Sequence, residues 1–343
     1  MRVFQKGMGY RINKESNCAV IGHGSMATAM MKVLTKKEAS VDWYIRNPEV
    51  MESLRTEGHN CRYLADVDFD TSRIHFSDDL NEVVRRSDII FLITPANYLK
   101  SYLSGLEVPL KDKFIISAIK GIVPDENWLV TSYLKQRYGL CDGQLAFMSG
   151  PTHAEEVSHN RLTHLTISCA DLDNARMVGE KIKTDFLNLS FSQEMVYLEY
   201  ISILKNIYAV VVGMAIGLGY GDNFIAVLVA NCAEEMHRFL DITFSANKVD
   251  RIPSSFMGDL LVSCYSIHGR NRRLGVLIGR GNTVKSSLNE MTMVAEGYFA
   301  SDYFQYLASE QRAEMPIAEM AYQVLHKGQS ARKAMKRIEG ILV

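Results

Sequence analysis

The sequence carries almost no excess charge of either sign: 38 Lys and Arg stand against 39 Asp and Glu, a formal −1 over 343 residues. That balance removes the bulk electrostatic case for a nucleic-acid partner or a polybasic membrane contact, both of which need a surplus of cations. Cysteine is sparse and scattered. Cys18, Cys61, Cys141, Cys169, Cys232 and Cys264 lie at least 28 positions apart and form no C-x-x-C pair. Zinc-ligand spacing is therefore absent, and free thiols in a reducing, cytoplasmic compartment are expected. No apolar run is long enough to span a bilayer without interruption. The longest, Ile201 to Tyr220, is broken by Lys205 and Asn206 and holds three glycines, so a buried core helix is expected and an integral membrane role is not. The opening MRVFQKGMGYRINKESN lacks both the apolar core and the small-residue cleavage site of a signal peptide, so residues 1–16 are expected as a loose arm.

With 47% apolar and 22% charged residues the composition is that of a folded globular chain. At roughly 150 residues per domain the length corresponds to about two domains. From Cys18 onward the pattern is CAVI, the glycine turn GHGSMA, a helix through TAMMKVL, then VDWYI. DIIFLIT, KFIISAI, LAFMSG, HLTISCA and LNLSFS follow as further strand-like runs. Strands alternating with helices predict right-handed crossovers and a parallel sheet, and a glycine turn between the first strand and helix is where such a sheet cradles a pyrophosphate, so 17–193 is expected as an α/β dinucleotide-binding domain of Rossmann type. Beyond it, Glu199–Leu218, Asn223–Leu240, Lys285–Ala300 and Ile317–Lys327 have helical apolar periodicity, with Asp222 placed to cap the second. Residues 194–343 are expected as an all-α substrate domain.

Gly22-His23-Gly24-Ser25-Met26-Ala27 fits G-x-G-x-x-A between a strand and a helix. The first glycine permits the tight turn and the second lets the backbone approach a pyrophosphate. The small Ala27 allows helix and strand to pack, and the helix N-terminus offers amides and positive dipole to the phosphates. A carboxylate at the end of the second strand would bind a ribose 2′-hydroxyl, but Tyr44-Ile45-Arg46-Asn47 has none before Glu49. Arg46 is suited to a 2′-phosphate, so NADPH should be accepted as well as NADH.

Lys205 lies inside an apolar helical run with Ile201, Tyr208 and Ala209 as its helical neighbours. It is either a snorkelling boundary residue or an ammonium whose pKa is lowered by desolvation to a range useful for proton transfer. His153, His159 and His164, spaced by six and five, fit no single helical face, and no metal site is expected.

The run from Glu199 through LKNIYAVVVGMAIGLGYGDN resembles the helix signature of NAD(P)-dependent glycerol-3-phosphate dehydrogenases of bacterial type. In the same order, Gly22 to Ala27 is similar to their GxGSWGTA, Ile119-Lys120-Gly121 to TKG, and Ser149 to Val157 to SGPSFAxEV. Gly258-Asp259-Leu260 with Cys264 and Gly269-Arg270-Asn271 resemble GDL-x-x-T-C-x(4)-SRN, and Val294 to Gly297 resembles V-x-EG.

The resemblance implies reversible NAD(P)H-dependent reduction of dihydroxyacetone phosphate to sn-glycerol 3-phosphate, in a cleft between the domains, feeding glycerophospholipid synthesis. It implies Lys205 as proton donor and acceptor, with Lys120 and Asp259 lining the same site. It assigns substrate contacts to Gly150, Thr152, Gly269, Arg270 and Asn271 as well, the last two at the phosphate. Cofactor contacts fall to Gly22, Gly24, Ser25, Met26, Arg46, Lys120, Ala154, Arg270 and Glu296. The chain departs from the pattern at Met26 for tryptophan, Ala27 for glycine, His153 for phenylalanine, Ser263 for threonine and Gly269 for serine. A homodimer is expected if the helical domain exposes an apolar face. The alternatives are a ketopantoate or hydroxyacid reductase of the same architecture, or a catalytically silent dinucleotide-binding redox sensor.

Overall fold

The computed structural model describes residues 10–244, 253–291 and 293–343, and the chain divides into two compact units. Unit 1 comprises the chain up to Thr94, then Tyr98–Ile119 and Val130–Met195. Unit 2 comprises Pro95–Asn97, Lys120–Leu129 and Val196–Val343.

In unit 1, strands β1 (Cys18–Ile21), β2 (Val41–Tyr44), β3 (Ile74–Ser77), β4 (Ile89–Leu92) and β5 (Phe114–Ser117) are followed, after a short ribbon that belongs to unit 2, by β8 (Leu145–Ser149), β9 (Thr163–Cys169) and β10 (Leu187–Ser192). The ribbon strands are β6 (Ile122–Val123) and β7 (Trp128–Leu129). The helices of unit 1 are α1 (Ser25–Lys37), α2 (Pro48–Thr56), α3 (Leu80–Arg86), α4 (Leu99–Leu103), α5 (Val130–Tyr138), α6 (Ala154–Ser158) and α7 (Leu172–Ile182).

The sheet order is β10-β9-β8-β5-β4-β1-β2-β3. Pairing is parallel except between β8 and β9, so β9 and β10 run opposite to the other six strands. The expected all-parallel sheet therefore holds only as far as β8. The connection to β9 carries only the five-residue α6, which at 1.5 Å per residue rises about 7.5 Å and is too short to return the chain along a sheet face. Order reverses between β1 and β4, the switch point at which doubly wound sheets bind ligands. β3, with its half-exposed IHFS pattern at the sheet edge, gave no strand signal in the sequence.

Residues 10–16 are not the loose arm expected. Ile12 is buried, Tyr10 Oη donates to Asp112 O at 2.8 Å, and Lys181 Nζ donates to Lys14 O and Ser16 O at 2.6 and 2.9 Å. Residues 1–9 of that arm lie outside the described residues.

Unit 2 holds α8 (Met195–Leu218), α9 (Asp222–Phe244), α10 (Asp259–Tyr265), α11 (Arg270–Gly279), α12 (Val284–Glu290), α13 (Glu296–Gln311), α14 (Pro316–Lys327) and α15 (Ala331–Glu339). The β6/β7 ribbon makes this unit not purely helical. Its two segments come from the first half of the sequence, so contiguous helical periodicity could not reveal them. The expected helix Lys285–Ala300 is two helices, because Met291 and Ala295 are extended, and α13 therefore starts at Glu296. Asp222 is the first residue of α9 rather than its cap, since Ile225 N donates to Gly221 O at 3.1 Å.

α8 is long and apolar enough to cross a bilayer, yet it is buried. It contacts α9 through Tyr200 and Phe239, and α13 through Tyr200 and Phe304. Against α11 it packs backbone to backbone. A Cβ on Gly213 would overlap Arg272 O, one on Gly217 would overlap Val276 O, one on Gly275 Val210 O and one on Gly279 Met214 O. Two glycine pairs, each spaced by four, thus let the helices touch and fix the start of α11 beside the middle of α8.

Candidate active site

In unit 1 the turn after β1 is built around Gly22, whose φ of +126° disfavours any side chain and whose Cβ would overlap Ile93 O. Trp43 Nε1 donates to Gly22 O at 2.6 Å and holds the turn from below. Gly24 has ordinary extended backbone, and a Cβ there would meet nothing within 4 Å. The fold itself does not require glycine at this position, whereas close approach of a pyrophosphate does. Gly24 gives α1 no side-chain cap, so among the described residues its first amides remain available to an anion. Ser25 is buried, and Met26 packs its side chain against the core. The turn fits a dinucleotide.

Arg46 follows β2, with its guanidinium over the Tyr102 ring at 4.0 Å from the centroid. Gly150 follows β8 in a left-handed conformation, φ +117°, and Thr152 Oγ1 donates to Gly150 O at 3.1 Å. Ala154 opens α6, which is tied to α1 by Lys32 Nζ donating to Ser158 O at 2.6 Å.

Unit 2 brings Lys120, Lys205 and Asp259 together. Lys205 projects from α8, Asp259 opens α10, and Lys120 lies just before the ribbon. Asp259 Oδ1 binds the Lys205 ammonium, and Oδ2 accepts from Lys120 Nζ at 3.1 Å. Lys205 is 5% exposed and Asp259 1%. Burial pushes the Lys205 pKa down to about 8; Asp259 opposes that fall and Lys120 adds to it. Burial alone would raise Asp259, but the two ammoniums outweigh it and hold the carboxyl below its ordinary range. Lys205 is thus buried against Asp259 rather than snorkelling to solvent.

Arg270 and Asn271 form the first turn of α11, whose cap residue Gly269 supplies no side-chain bond. The glycine that stands for the family serine thus leaves those amides open to a phosphate. Asn271 Oδ1 accepts from Gly297 N at 2.9 Å, while its Nδ2 has no partner among the described residues. Glu296 Oε1 accepts from Ala96 N at 2.9 Å, whereas Oε2 is sealed from solvent with no hydrogen bond among the described residues. Burial pushes the Glu296 pKa up to about 7, opposed by the Ala96 amide and Arg270. A Cβ on Gly121 would overlap Glu296 Oε2, so Gly121 is the space that this carboxyl occupies.

Two residues not singled out by type complete the cluster. Asn206 Nδ2 donates to Lys120 O at 2.9 Å, so the residue after Lys205 fixes the backbone of the second lysine. Ala96 supplies the amide for Glu296. The adjacency of Lys and Asn in one helix was the available signal for the first, and an amide leaves none for the second.

A glycine turn at the switch point in the parallel part of the sheet, and a buried ammonium–carboxylate cluster on a helical unit, define a nicotinamide-dinucleotide-dependent oxidoreductase. Comparison with known proteins is specific. Residues 17–175 match the family model for the NAD-dependent glycerol-3-phosphate dehydrogenase N-terminus, and 194–336 match that for its C-terminus. A relative from an Exiguobacterium species is 35% identical over 325 residues, 94% of this chain and 95% of that protein. One from Staphylococcus haemolyticus is 32% identical over 323 residues, 94% and 97%. Both are named glycerol-3-phosphate dehydrogenase (NAD(P)+). The solved glycerol-3-phosphate dehydrogenase of Coxiella burnetii has the same fold, with a TM-score of 0.86 at 24% identity over 94% of this chain and 98% of that one. The chain belongs to the NAD-dependent glycerol-3-phosphate dehydrogenase family.

Proposed function

We propose that this chain reduces dihydroxyacetone phosphate to sn-glycerol 3-phosphate, reversibly, with NADPH or NADH, and that Lys205 moves the proton. The observation that carries the assignment of roles is the buried Lys205–Asp259–Lys120 cluster. When bound, the dinucleotide would supply the hydride for the carbonyl carbon of the substrate. As the carbon–oxygen double bond becomes a single bond, negative charge collects on oxygen. The Lys205 ammonium stabilises that charge and donates a proton to it, leaving a neutral amine that solvent reprotonates. In the reverse direction the neutral amine takes the hydroxyl proton. Lys120 adds a second positive charge beside the oxygen, and Asp259 holds both ammoniums in place.

The substrate phosphate is assigned to the Arg270 guanidinium, Asn271 Nδ2 and the open amides of α11. Gly22, Gly24, Ser25, Met26 and Arg46 are assigned to the dinucleotide, with Lys120, Glu296 and Arg270 near it and Gly150, Thr152 and Ala154 where nicotinamide and substrate meet. A redox sensor would need the turn but not a buried lysine cluster, so the silent reading is not favoured. The product is a phospholipid precursor, and four buried unpaired thiols, Cys18, Cys169, Cys232 and Cys264, suit the cytoplasm. Leu261, Tyr265 and Ile267 on and after α10 are exposed and support a homodimer, which sedimentation would test.

The deciding experiment follows absorbance at 340 nm with dihydroxyacetone phosphate and either NADH or NADPH, beside ketopantoate, for the wild type and Lys205→Ala. Substrate-dependent oxidation lost in the variant supports the proposal. Turnover of ketopantoate alone would overturn it.

A further inference from the structure

Arg46 does not wave in solvent. Its guanidinium carbon stands 4.0 Å from the centroid of the Tyr102 ring, and its Nη1 donates to Ser101 Oγ at 3.1 Å. Both partners lie on α4, within unit 1. Ser101 Oγ spends its own proton on Tyr98 O at 2.8 Å, so a lone pair is left facing the arginine. Tyr102 is 7% exposed and is itself held. Its hydroxyl meets His23 Nδ1 at 3.0 Å, and Tyr44 packs edge-on to its ring at 6.1 Å and 80°. His23 is the residue between the two glycines of the phosphate turn, so the chain of contacts runs from that turn through Tyr102 to Arg46.

The two nearest side-chain acceptors along the chain are engaged elsewhere. Glu49, the nearest carboxylate after β2, forms an ion pair with Arg62, whose Nε lies 2.9 Å from Glu49 Oε2. Asn47 Oδ1 accepts from Val50 N at 3.0 Å as the cap of α2. Arg46 makes no ion pair among the described residues. A guanidinium stacked on a ring and bonded at one edge keeps its other N–H donors in a fixed plane, which suits a phosphate rather than a ribose hydroxyl.

We propose that Tyr102 and Ser101 are positioning residues that hold Arg46 ready for the 2′-phosphate of NADPH and so set this chain's preference between the two dinucleotides. The proposal rests on the assignment of the glycine turn to a dinucleotide made above.

The test uses the intact protein and two probes, 2′,5′-ADP and 5′-ADP, by calorimetry, together with KM for NADPH and NADH. The wild type should bind 2′,5′-ADP about tenfold or more tighter than 5′-ADP, as one charge-assisted fork would give. Arg46→Ala should erase that difference. Tyr102→Leu and Ser101→Ala should each weaken 2′,5′-ADP by about threefold or more and raise KM for NADPH, with 5′-ADP and kcat little changed. Tyr102→Phe keeps the ring and should keep most of the preference. Unchanged ratios in both Tyr102→Leu and Ser101→Ala, or equal loss of both probes, would overturn the proposal, as would a wild type that does not distinguish them. Ser101→Ala decides the matter if Tyr102→Leu does not fold. Discrimination through Arg46 without turnover of dihydroxyacetone phosphate would sink the reaction assigned above and leave this inference standing. Turnover with no discrimination would do the reverse.

Discussion

Lys205 and Lys120 hold opposite oxygens of a single carboxylate, Asp259, with Lys205 almost wholly buried. Two ammoniums around one anion leave one positive charge in surplus. Because desolvation pushes the Lys205 pKa down to about 8, its proton is exchangeable within the working range of an enzyme. Ketone reduction needs the ammonium as donor, so kcat should fall as pH rises through about 8. Alcohol oxidation needs the neutral amine, so kcat should rise through the same pH and then level. Rate profiles in both directions check this, and limbs of the same sign in both would contradict a proton-transferring Lys205.

Asp259→Asn should move that limb. The carboxylate is the group that raises the Lys205 pKa against burial, so its loss makes the lysine more acidic. The limb for reduction should shift below pH 8 and the rate at neutral pH should drop. Removing one partner of a buried ion pair also costs roughly 3–5 kcal/mol of stability, which denaturant unfolding would measure. A limb that stays in place with reduced amplitude would mean that Asp259 acts on geometry alone.

The glycine crossing of α8 and α11 makes a separate claim. Gly275→Ala sets a methyl against Val210 O and Met214 N, both backbone atoms that cannot rotate away. Separation of the helices should cost about 1–3 kcal/mol, the usual scale for overpacking. The same separation moves Arg270 and Asn271 away from Lys205, so KM for dihydroxyacetone phosphate should rise more than KM for the dinucleotide. Gly105→Ala, at a position with ordinary φ where a Cβ would meet nothing, is the control for altered backbone freedom. Equal changes in both KM values would count against α11 as the phosphate element.

The residues that the sequence made legible are those whose chemistry repeats at short range. Gly22 and Gly24 flank a turn between a periodic strand and a periodic helix, and Lys205 breaks an apolar helical run, so each stands out in its own window. Lys120 and Asp259 were reached through resemblance, because nothing local says that residues 139 positions apart share a carboxylate contact. Tyr102 and Ser101 gave no signal, since a tyrosine on a five-residue helix looks like ordinary packing until the fold sets it under Arg46. The β6/β7 ribbon escaped for the same reason: its partners belong to unit 2, and two-residue strands carry no periodicity. The antiparallel β9 has the apolar content of a parallel strand, and only its connection distinguishes the two.

Glu235 offers a test that does not involve catalysis. It is fully buried on α9, and its carboxylate accepts from Ile317 N and Ala318 N at 2.8 and 2.9 Å and from Tyr208 Oη at 3.2 Å. It therefore caps α14, where the cap residue Met315 supplies no side-chain bond. Burial pushes its pKa up to about 7, although the two amides and the tyrosine hydroxyl favour the charged form. A carboxyl whose folded pKa lies above its unfolded one binds more protons when folded. Its contribution is complete below about pH 4.5 and is lost as pH rises through about 7. The shift corresponds to roughly 3 kcal/mol between those limits, with Glu296 adding a loss of the same sign. Glu235→Gln cannot ionise, so its stability should fall less between pH 5 and 8 than that of the wild type. At pH 5 the variant should still be the less stable of the two if its amide group meets the α14 amides poorly. Parallel stability–pH curves for the two proteins would show that Glu235 stays charged across this range, with the helix amides outweighing burial.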